Sequence, residues 1–298
     1  RIRAFGINRA DILQRRGRYP APPDAYDARI PGLEYAGEVE ALGPRARERA
    51  IGDRVFGICV AGGYAEMVCV HERTTMRIPS ELSFEEAAGI PEAFMTAYDA
   101  LDQGGLLPGG SALVHAIGSG VGSAAVQLVR RAGGHVVGTS RHAAKLGRAK
   151  ELGMSAGCLF DEPWDQAARD LTGGRGVDVV LDFVGAATFA RNFSAVRIGG
   201  RVVQIGTLGP SQGEIDLRAV MAKRAAFIGT TLRVRPLEEK IELARRFGRL
   251  VVPGFVDRTL RAVVDRVYPF EAVADAHRTM EANSNFGKLV IRVDESAA

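Results

Sequence analysis

The sequence predicts an α/β protein in which a doubly wound parallel sheet is inserted into a discontinuous, β-rich domain. Residues 1–94 are rich in Gly and Pro and carry short apolar runs, which is typical of short strands. Residues 95–247 alternate apolar strands with helical patterns, which indicates parallel strands joined by right-handed crossovers. Residues 248–298 return to the β-rich character. We therefore predict that they complete the first domain, with a ligand cleft between the two domains.

The individual elements follow from apolar or alternating runs between turn residues. In the first domain we expect a short helix at 9–14 and strands at 38–41, 54–57 and 65–70. In the inserted domain we expect strands at 112–114, 135–139, 177–183, 201–206 and 226–232. The tail adds strands at 259–266 and 287–293 around a helix at 270–282.

A glycine turn follows the first strand of the inserted domain. Gly118, Gly120 and Gly122 stand where the backbone must turn sharply, and apolar residues then recur at helical spacing. A phosphate bound there would meet free N–H groups and the positive end of a helix dipole. We predict a dinucleotide-binding turn that includes Ser119 and Val121. The alternative is an ordinary glycine-rich loop.

The end of the next strand bears on which dinucleotide binds. A protein that selects NAD normally places Asp or Glu there to bind the ribose 2′-hydroxyl. No carboxylate occurs between 138 and 142, and Ser140, Arg141 and Lys145 suit a 2′-phosphate instead. We infer NADPH. Under the alternative interpretation, Arg141 and Lys145 are ordinary solvated charges on the next helix.

Composition argues against several classes of function. The net charge of +4 comes without a long basic run, so the sequence predicts neither a nucleic-acid groove nor a membrane-binding patch. Charges or glycines interrupt every apolar run before the roughly 18 residues of a membrane span. Cys59, Cys69 and Cys158 are scattered, which favours a reducing compartment and a cytoplasmic protein.

Ordered motifs along the whole chain carry a resemblance to a known family. They read GINRADILQRRGRYP, IPGLEYAGEVEALG, IGDRVFG, GGYAEMV, IPEAFMTAYDAL, HAIGSGVGSAAVQL and NFGKLVI. Together they resemble the medium-chain dehydrogenase/reductase superfamily. Within it they are most similar to the zinc-free quinone oxidoreductase branch, which includes zeta-crystallin and the tumour-suppressor-inducible quinone reductases. The resemblance implies a GroES-like catalytic domain, some of whose strands precede Arg1, a Rossmann domain that binds NADPH, and a homodimer joined through the Rossmann edge strands.

The zinc-bearing relatives supply a contrast. Aligned by these motifs, their three catalytic zinc ligands fall on Asn8, Leu33 and Glu92 here. One carboxylate does not make a tetrahedral zinc site, which needs three N, S or O ligands plus water. The four-cysteine structural zinc lobe is missing too, since 57–63 runs directly into Tyr64. We expect a mechanism that needs no metal.

The resemblance assigns Tyr19 to the active site, where it stacks on a substrate ring or donates to a substrate oxygen. We favour stacking with weak hydrogen bonding, because hydroquinone oxygens need little help to take a proton. The alternative is a loop aromatic packed against Pro20 and Pro22.

Three polar residues remain open between two roles. Asn8 orients the nicotinamide ribose or a quinone oxygen, or else it caps the helix at 9–14. Asp11 joins the cofactor contacts or faces water in the first helical turn. We interpret Glu92 as a structural hydrogen-bonding carboxylate rather than a general acid.

Further cofactor contacts follow from the resemblance alone. Their positions are Thr96, Phe160, Val184, Gly206, Thr207, Leu208, Leu232 and Asn283. Relatives often carry Tyr at the position of Phe160, so stacking is kept while one hydroxyl is lost, at a cost of about 1 kcal/mol in NADPH binding. Four of the five histidines have no pattern connecting them and are interpreted as structural or exposed: His71, His115, His142 and His277.

The candidate site residues and the family resemblance together favour an NADPH:quinone oxidoreductase. Such an enzyme holds the nicotinamide against a small-molecule quinone in the interdomain cleft and excludes water. Reduction of the C=C bond of an enal, enone or enoyl thioester is the closest alternative, because it uses the same cleft and cofactor. A further alternative is a non-catalytic crystallin-like or RNA-binding protein. The glycine turn, Tyr19 and Lys145 argue against it.

Overall fold

The computed structural model describes residues 1–19, 21–22, 25 and 29–293. The chain divides into two compact units. Unit 1 comprises Arg1–Met95 and Leu232–Ala298, and unit 2 comprises Thr96–Thr231. The helices and strands are, in chain order, β1 (Ile2–Ile7), α1 (Arg9–Arg15), β2 (Glu34–Glu38), β3 (Arg54–Ile58), β4 (Thr75–Arg77), α2 (Phe84–Ala88), α3 (Thr96–Gln103), β5 (Ser111–Val114), α4 (Gly120–Arg131), β6 (His135–Ser140), α5 (Ala143–Glu151), β7 (Ala156–Leu159), α6 (Trp164–Leu171), β8 (Val177–Asp182), α7 (Phe189–Ala195), β9 (Val196–Gln204), α8 (Leu217–Lys223), β10 (Ala226–Gly229), α9 (Leu237–Leu250), α10 (Pro253–Val256), β11 (Val264–Pro269), α11 (Val273–Glu281) and β12 (Lys288–Arg292).

Unit 1 is built on a sheet with the strand order β11-β12-β1-β2-β3-β4. Neighbouring strands run antiparallel except β11 and β12, which run parallel. Apolar side chains of β1 and β12, among them Phe5 and Leu289, form a buried core with Ala276 and Met280 of α11. The first and last described strands are therefore direct neighbours, which joins the two stretches of unit 1 into one core.

Unit 2 contains a parallel sheet with the strand order β10-β9-β8-β5-β6-β7. The chain builds outward from β5 to β7 and then crosses to β8 on the other side, so the switch point lies between β5 and β8. Leu113, Val180 and Val202 are fully buried, as expected for central strands of a parallel sheet covered on both faces. The predicted α/β class is confirmed.

Several details differ from the sequence-based expectation. The strands expected at 38–41 and 259–266 are observed at Glu34–Glu38 and Val264–Pro269. The sequence places the second boundary at 247, whereas α9 packs on β4 and on the turn Glu72–Thr74 with Phe247 buried. The apolar face of α9 thus belongs to the core of unit 1, and the boundary falls after Thr231. Residues 65–70 form no strand. Because β12 and β2 pair with the two edges of β1, the described backbone hydrogen bond between this segment and β1 is the one from Ile2 N–H to the Glu66 carbonyl (2.7 Å). Among the described helices, none is long and apolar enough to cross a membrane.

Candidate active site

The glycine turn of unit 2 lies between β5 and α4. Ser119 caps α4, and its Oγ accepts a hydrogen bond of 2.9 Å from Gly122 N–H. A Cβ added at Gly122 would stand 2.7 Å from the carbonyl oxygens of Ala116 and Ile117, so only glycine fits there. None of the described hydrogen bonds uses the amide of Gly120 or Val121, which leaves both donors available in the first turn of α4.

Side chains after β6 gather beside this turn. A Cβ added at Gly118 would stand 2.6 Å from Lys145 Cδ, so the Lys145 chain lies directly over the turn. Ser140 Oγ accepts from His142 N–H (3.0 Å), and the Ser140 carbonyl accepts from Phe160 N–H (2.9 Å). Arg141 is exposed. The ends of β6 and β7 therefore present a hydroxyl, cationic groups and an aromatic ring in one region.

The loop after β8 is fixed by a buried carboxylate. Asp182 Oδ1 accepts from Val184 N–H (2.6 Å) and Gly185 N–H (3.2 Å), and Leu208 N–H donates to the Phe183 carbonyl (2.8 Å). Thus Val184 and the segment Gly206–Leu208 lie side by side at the ends of β8 and β9. Thr96 is buried at the start of α3.

His115 belongs to the same buried network. Its Nε2 lies 2.8 Å from Asn192 Oδ1, and Asn192 Nδ2 donates to Asp182 Oδ2 (2.6 Å). Burial lowers the pKa of His115, which favours the neutral ring. His277 is buried too, whereas His71 and His142 are exposed, so the interpretation of the histidines as structural or exposed agrees with the structure.

In unit 1, Asn8 lies against a buried ion pair. Lys288 Nζ is 2.5 Å from Glu34 Oε1, and both side chains are almost fully excluded from water. Asn8 Nδ2 donates to Glu34 Oε1 (2.8 Å) while Asn8 Oδ1 accepts from Lys288 Nζ (2.6 Å). Asn8 is also the N-cap of α1. Its amide therefore ties the start of this helix to β2 and β12.

Asp11 does not face water. It is fully buried, and its Oδ2 accepts from Asn8 N–H (2.7 Å) and from the Tyr64 hydroxyl (3.0 Å). The Tyr64 oxygen lies 2.9 Å from His277 Nε2, and Arg15 Nη1 lies 3.0 Å from His277 Nδ1. Asp11 Oδ1 has no hydrogen-bond partner among the described residues. Burial raises the pKa of Asp11 to about 7 against these hydrogen bonds.

Glu92 differs from the expected hydrogen-bonding carboxylate. Its backbone N–H donates to Glu34 Oε2 (2.8 Å), whereas none of the described hydrogen bonds uses its side chain. Desolvation and the neighbouring Glu34 carboxylate raise the pKa of Glu92 to about 8. With a pKa of about 8, the carboxyl is mostly protonated at neutral pH because of these surroundings.

Tyr19 is held by an arginine from the other stretch of unit 1. Arg233 Nη1 donates to the Tyr19 carbonyl (3.0 Å), and its Cζ lies 4.9 Å from the centre of the Tyr19 ring. Nε donates to the Val60 carbonyl (2.7 Å) and Nη2 to Gln14 Oε1 (2.6 Å). Of the two prolines expected to pack on Tyr19, Pro20 lies outside the described residues.

The remaining predicted contacts of unit 1 lie on either side of these groups. Asn283 adopts a left-handed conformation (φ 53°), and its Oδ1 accepts from Arg9 Nη2 (2.7 Å). Leu232 is buried and borders a cavity that encloses about 420 Å³ of empty space, including space open to solvent. The cavity is lined by Ile58, Cys59, Val60, Thr74, Met95, Leu232, Arg233, Arg235, Lys240 and Leu243.

Comparison with known proteins identifies the family to which this chain belongs. Residues 1–80 match the alcohol dehydrogenase GroES-like domain, and residues 120–246 match the zinc-binding dehydrogenase domain. The chain is 33% identical to a quinone oxidoreductase of Lama guanicoe over 98% of its own length and 87% of the relative. It belongs to the quinone oxidoreductase branch of the medium-chain dehydrogenase/reductase superfamily. The protein is therefore an oxidoreductase with a nicotinamide cofactor and a small-molecule substrate.

Solved structures of the superfamily share this fold. A structure described as an NAD-dependent alcohol dehydrogenase is 32% identical, with a TM-score of 0.85 over 99% of this chain and 91% of that one. Mycobacterial Rv1454c complexed with NADPH is 26% identical, with a TM-score of 0.87 over 98% and 90%. CurK enoyl reductase is 25% identical, with a TM-score of 0.83 over 98% and 90%. The described residues of this member contain no cluster of three or more His, Cys, Asp or Glu side chains able to hold a metal ion.

Sequence reasoning missed several residues of this region. Glu34 and Lys288 each begin a strand whose next residues are buried, and a buried charge in such a position signals a buried partner. Tyr64 and Arg233 carry no comparable local signal, because their partners lie 213 and 214 residues away in the chain.

Proposed function

We propose that this protein is an NADPH-dependent quinone oxidoreductase that works without a metal. The observation that carries the proposal is the glycine turn of unit 2 with Lys145 lying over Gly118 and Ser140 beside it. A cation and a hydroxyl at this position suit a 2′-phosphate, whereas an NAD-selective site uses a carboxylate. The quinone is supported by the quinone oxidoreductase relative.

The described residues fit a dinucleotide. The missing Cβ at Gly122 lets the backbone approach a pyrophosphate, and the amides of Gly120 and Val121 are available to bind it. Lys145 and Arg141 would bind the 2′-phosphate together with the Ser140 hydroxyl. The other residues proposed to contact the cofactor are Thr96, Gly118, Ser119, Phe160, Val184, Gly206, Thr207, Leu208, Leu232 and Asn283. Asp11 is fully buried, so we no longer assign it to the cofactor contacts.

The chain's own residues bind and orient the reactants. When bound, a nicotinamide supplies the hydride, and solvent supplies the proton that completes the hydroquinone. Tyr19 contacts the quinone, and the cavity beside Arg233 offers it a mainly apolar surface. The Asn8 amide already bonds Glu34 and Lys288, so we assign it to holding α1 in place. A direct contact with substrate is not part of its proposed role.

The test of the proposed function is a steady-state panel of quinones and enones with NADPH and with NADH. We expect kcat/KM to be more than about tenfold higher for the best quinone than for any enone, and for NADPH than for NADH. The enoyl reductase structure of similar fold favours C=C reduction as the second candidate. Faster turnover of an enone would establish that candidate, and equal use of both cofactors would reject NADPH selection.

Metal independence has its own test. Treatment with a chelator should leave the reductase rate unchanged, and elemental analysis should find no stoichiometric zinc. Loss of turnover on removal of stoichiometric zinc would overturn this part of the proposal.

For the assembly we propose a homodimer joined through the edge strand β10. Phe227 on this strand is 46% exposed, and an apolar ring on an open strand edge favours pairing with a second copy. Light scattering should give twice the mass of the chain, and Phe227→Glu should reduce it to one chain. We further propose a cytoplasmic location, since scattered cysteines without a disulfide are typical of a reducing compartment.

A further inference from the structure

Arg233 is a buried cation that joins three separate segments of unit 1. Only 4% of its surface is exposed. Its guanidinium donates to the Val60 carbonyl, the Tyr19 carbonyl and Gln14 Oε1, at 2.6–3.0 Å. Three donors of one rigid fork fix the group in position and direction. The backbone at Tyr19 is thereby tied to α1 and to the segment after β3.

The same guanidinium also covers the Tyr19 ring. A distance of 4.9 Å from Cζ to the ring centre lies within the range of cation–π contacts. One face of the ring is therefore occupied by Arg233. A substrate ring can stack only on the opposite face, and the hydroxyl at the ring edge remains a second point of contact.

A fixed positive charge beside the ring changes what the hydroxyl can do. It stabilises negative charge on the phenol oxygen and so makes the O–H a stronger hydrogen-bond donor. Burial lowers the pKa of Arg233, but an arginine stays protonated under all working conditions. The charge acts in a largely water-free region, where electrostatic effects are larger than in bulk water.

We propose that Arg233 is the positioning residue for Tyr19, holding its ring and strengthening its hydroxyl as the hydrogen-bond donor to the substrate oxygen. The inference rests on the proposed function and deepens it. Tyr19 donates a hydrogen bond and keeps its proton, while solvent protonates the reduced oxygen. This role of Arg233 replaces the expectation that Tyr19 acts mainly by stacking, because a hydroxyl next to a buried cation contributes more to the rate than stacking alone.

The experiment is a double-variant cycle in kcat with Tyr19→Phe, Arg233→Gln and the double variant. Each single variant should lower kcat about tenfold or more, with KM changed less than about threefold. In the Tyr19→Phe background, Arg233→Gln should cost less than about twofold more, because the hydroxyl it acts on is gone. Arg233→Lys keeps the charge and should recover part of the lost rate.

Arg245→Gln is the matched control, since Arg245 is an exposed arginine of α9 outside the cavity lining and its loss should change kcat less than about twofold. Equal losses from Arg233→Gln in both Tyr19 backgrounds, or no loss in either, would overturn the proposal. Thermal melting identifies any variant that fails to fold, in which case the cycle is run with Arg233→Lys. If the unmodified protein does not reduce quinones, the proposed function is rejected instead. The kcat values of the double-variant cycle are then measured with the electrophile that the protein does reduce.

Discussion

The two units hold their candidate site residues by different physical means. In unit 2 the turn is made by consecutive residues, Gly118–Gly122, and the groups proposed to bind the cofactor are backbone amides at the start of α4. In unit 1 the corresponding region depends on side-chain contacts between Asn8 and Lys288 and between Tyr19 and Arg233, which lie more than 200 residues apart. A backbone site is sensitive to added volume. A site built on buried charges is sensitive to the loss of one partner.

The largest effect that follows from this difference is expected at Lys288. Lys288→Met leaves the Glu34 carboxylate buried without its cation, which should cost about 3–5 kcal/mol in the free energy of unfolding. Far-UV circular dichroism follows the whole chain, whereas fluorescence of the single tryptophan, Trp164, reports unit 2. The dichroism transition should therefore shift ahead of the fluorescence transition.

Arg245→Met is the matched control, because it removes an exposed partner from the ion pair with Glu242. Its loss should leave the free energy of unfolding nearly unchanged, because exposed ion pairs contribute little to stability. A similar loss in both variants would contradict the special cost of the buried pair in unit 1.

The next effect concerns Asp11 and pH. Its pKa in the folded protein is about 7 against an ordinary value of 3.8, so the folded state keeps this proton more tightly than the unfolded chain. The stabilising contribution of the protonated carboxyl is complete below the ordinary value and is lost as the pH rises through about 7. Asp11→Asn should remove about 3 kcal/mol of the fall in unfolding free energy between about pH 5 and 8.

Chemical unfolding of the wild type and of Asp11→Asn at several pH values measures this difference. The exposed Asp161→Asn serves as the control for the loss of one acid and should leave the slope unchanged. If the unfolding free energy of Asp11→Asn falls with pH as steeply as that of the wild type, another group of unit 1 causes the pH dependence.

In unit 2 the expected effect falls on ligand binding and not on folding. Lys145→Ala should weaken NADPH binding by about 1.5–3 kcal/mol and NADH binding much less, because one charge-assisted contact to the 2′-phosphate is lost. Titration of both cofactors measures this. Lys150→Ala on the same helix, α5, is the control. An equal loss of NADPH affinity in both variants would show that the overall positive charge, and not a contact with Lys145, causes the effect.

The smallest pair of effects tests whether the turn is limited by volume. Gly122→Ala should destabilise unit 2 by about 1–3 kcal/mol, because its Cβ would meet two carbonyl oxygens at 2.7 Å. Gly147→Ala lies in α5 with open space around it and should stabilise by about 0.5–1 kcal/mol. Trp164 fluorescence during unfolding measures both, and equal signs would contradict the steric argument.

Sequence patterns predicted the parts of the molecule that are local in the chain. The strands and glycine turn of unit 2 depend on residues within a few positions of one another, so periodicity and turn chemistry are sufficient. The role of Asp11 stayed open because its partner, Tyr64, comes from another segment. The sequence-based boundary placed α9 in the wrong unit. A helical pattern shows which face of a helix is apolar, but it does not show which domain core that face packs against. Arg233 had no local pattern at all.

The pairing of β1 with β12 has a consequence for synthesis on the ribosome. Unit 2 is one continuous stretch, so it can complete its sheet while the chain is still growing. Glu34 emerges long before Lys288, its partner 254 residues later, and the edge of β1 stays open until β12 has been made. During that interval the nascent chain carries an unmatched carboxylate and an unpaired strand edge. We expect chaperone binding during translation to concentrate on this early segment, and to end when β12 leaves the exit tunnel.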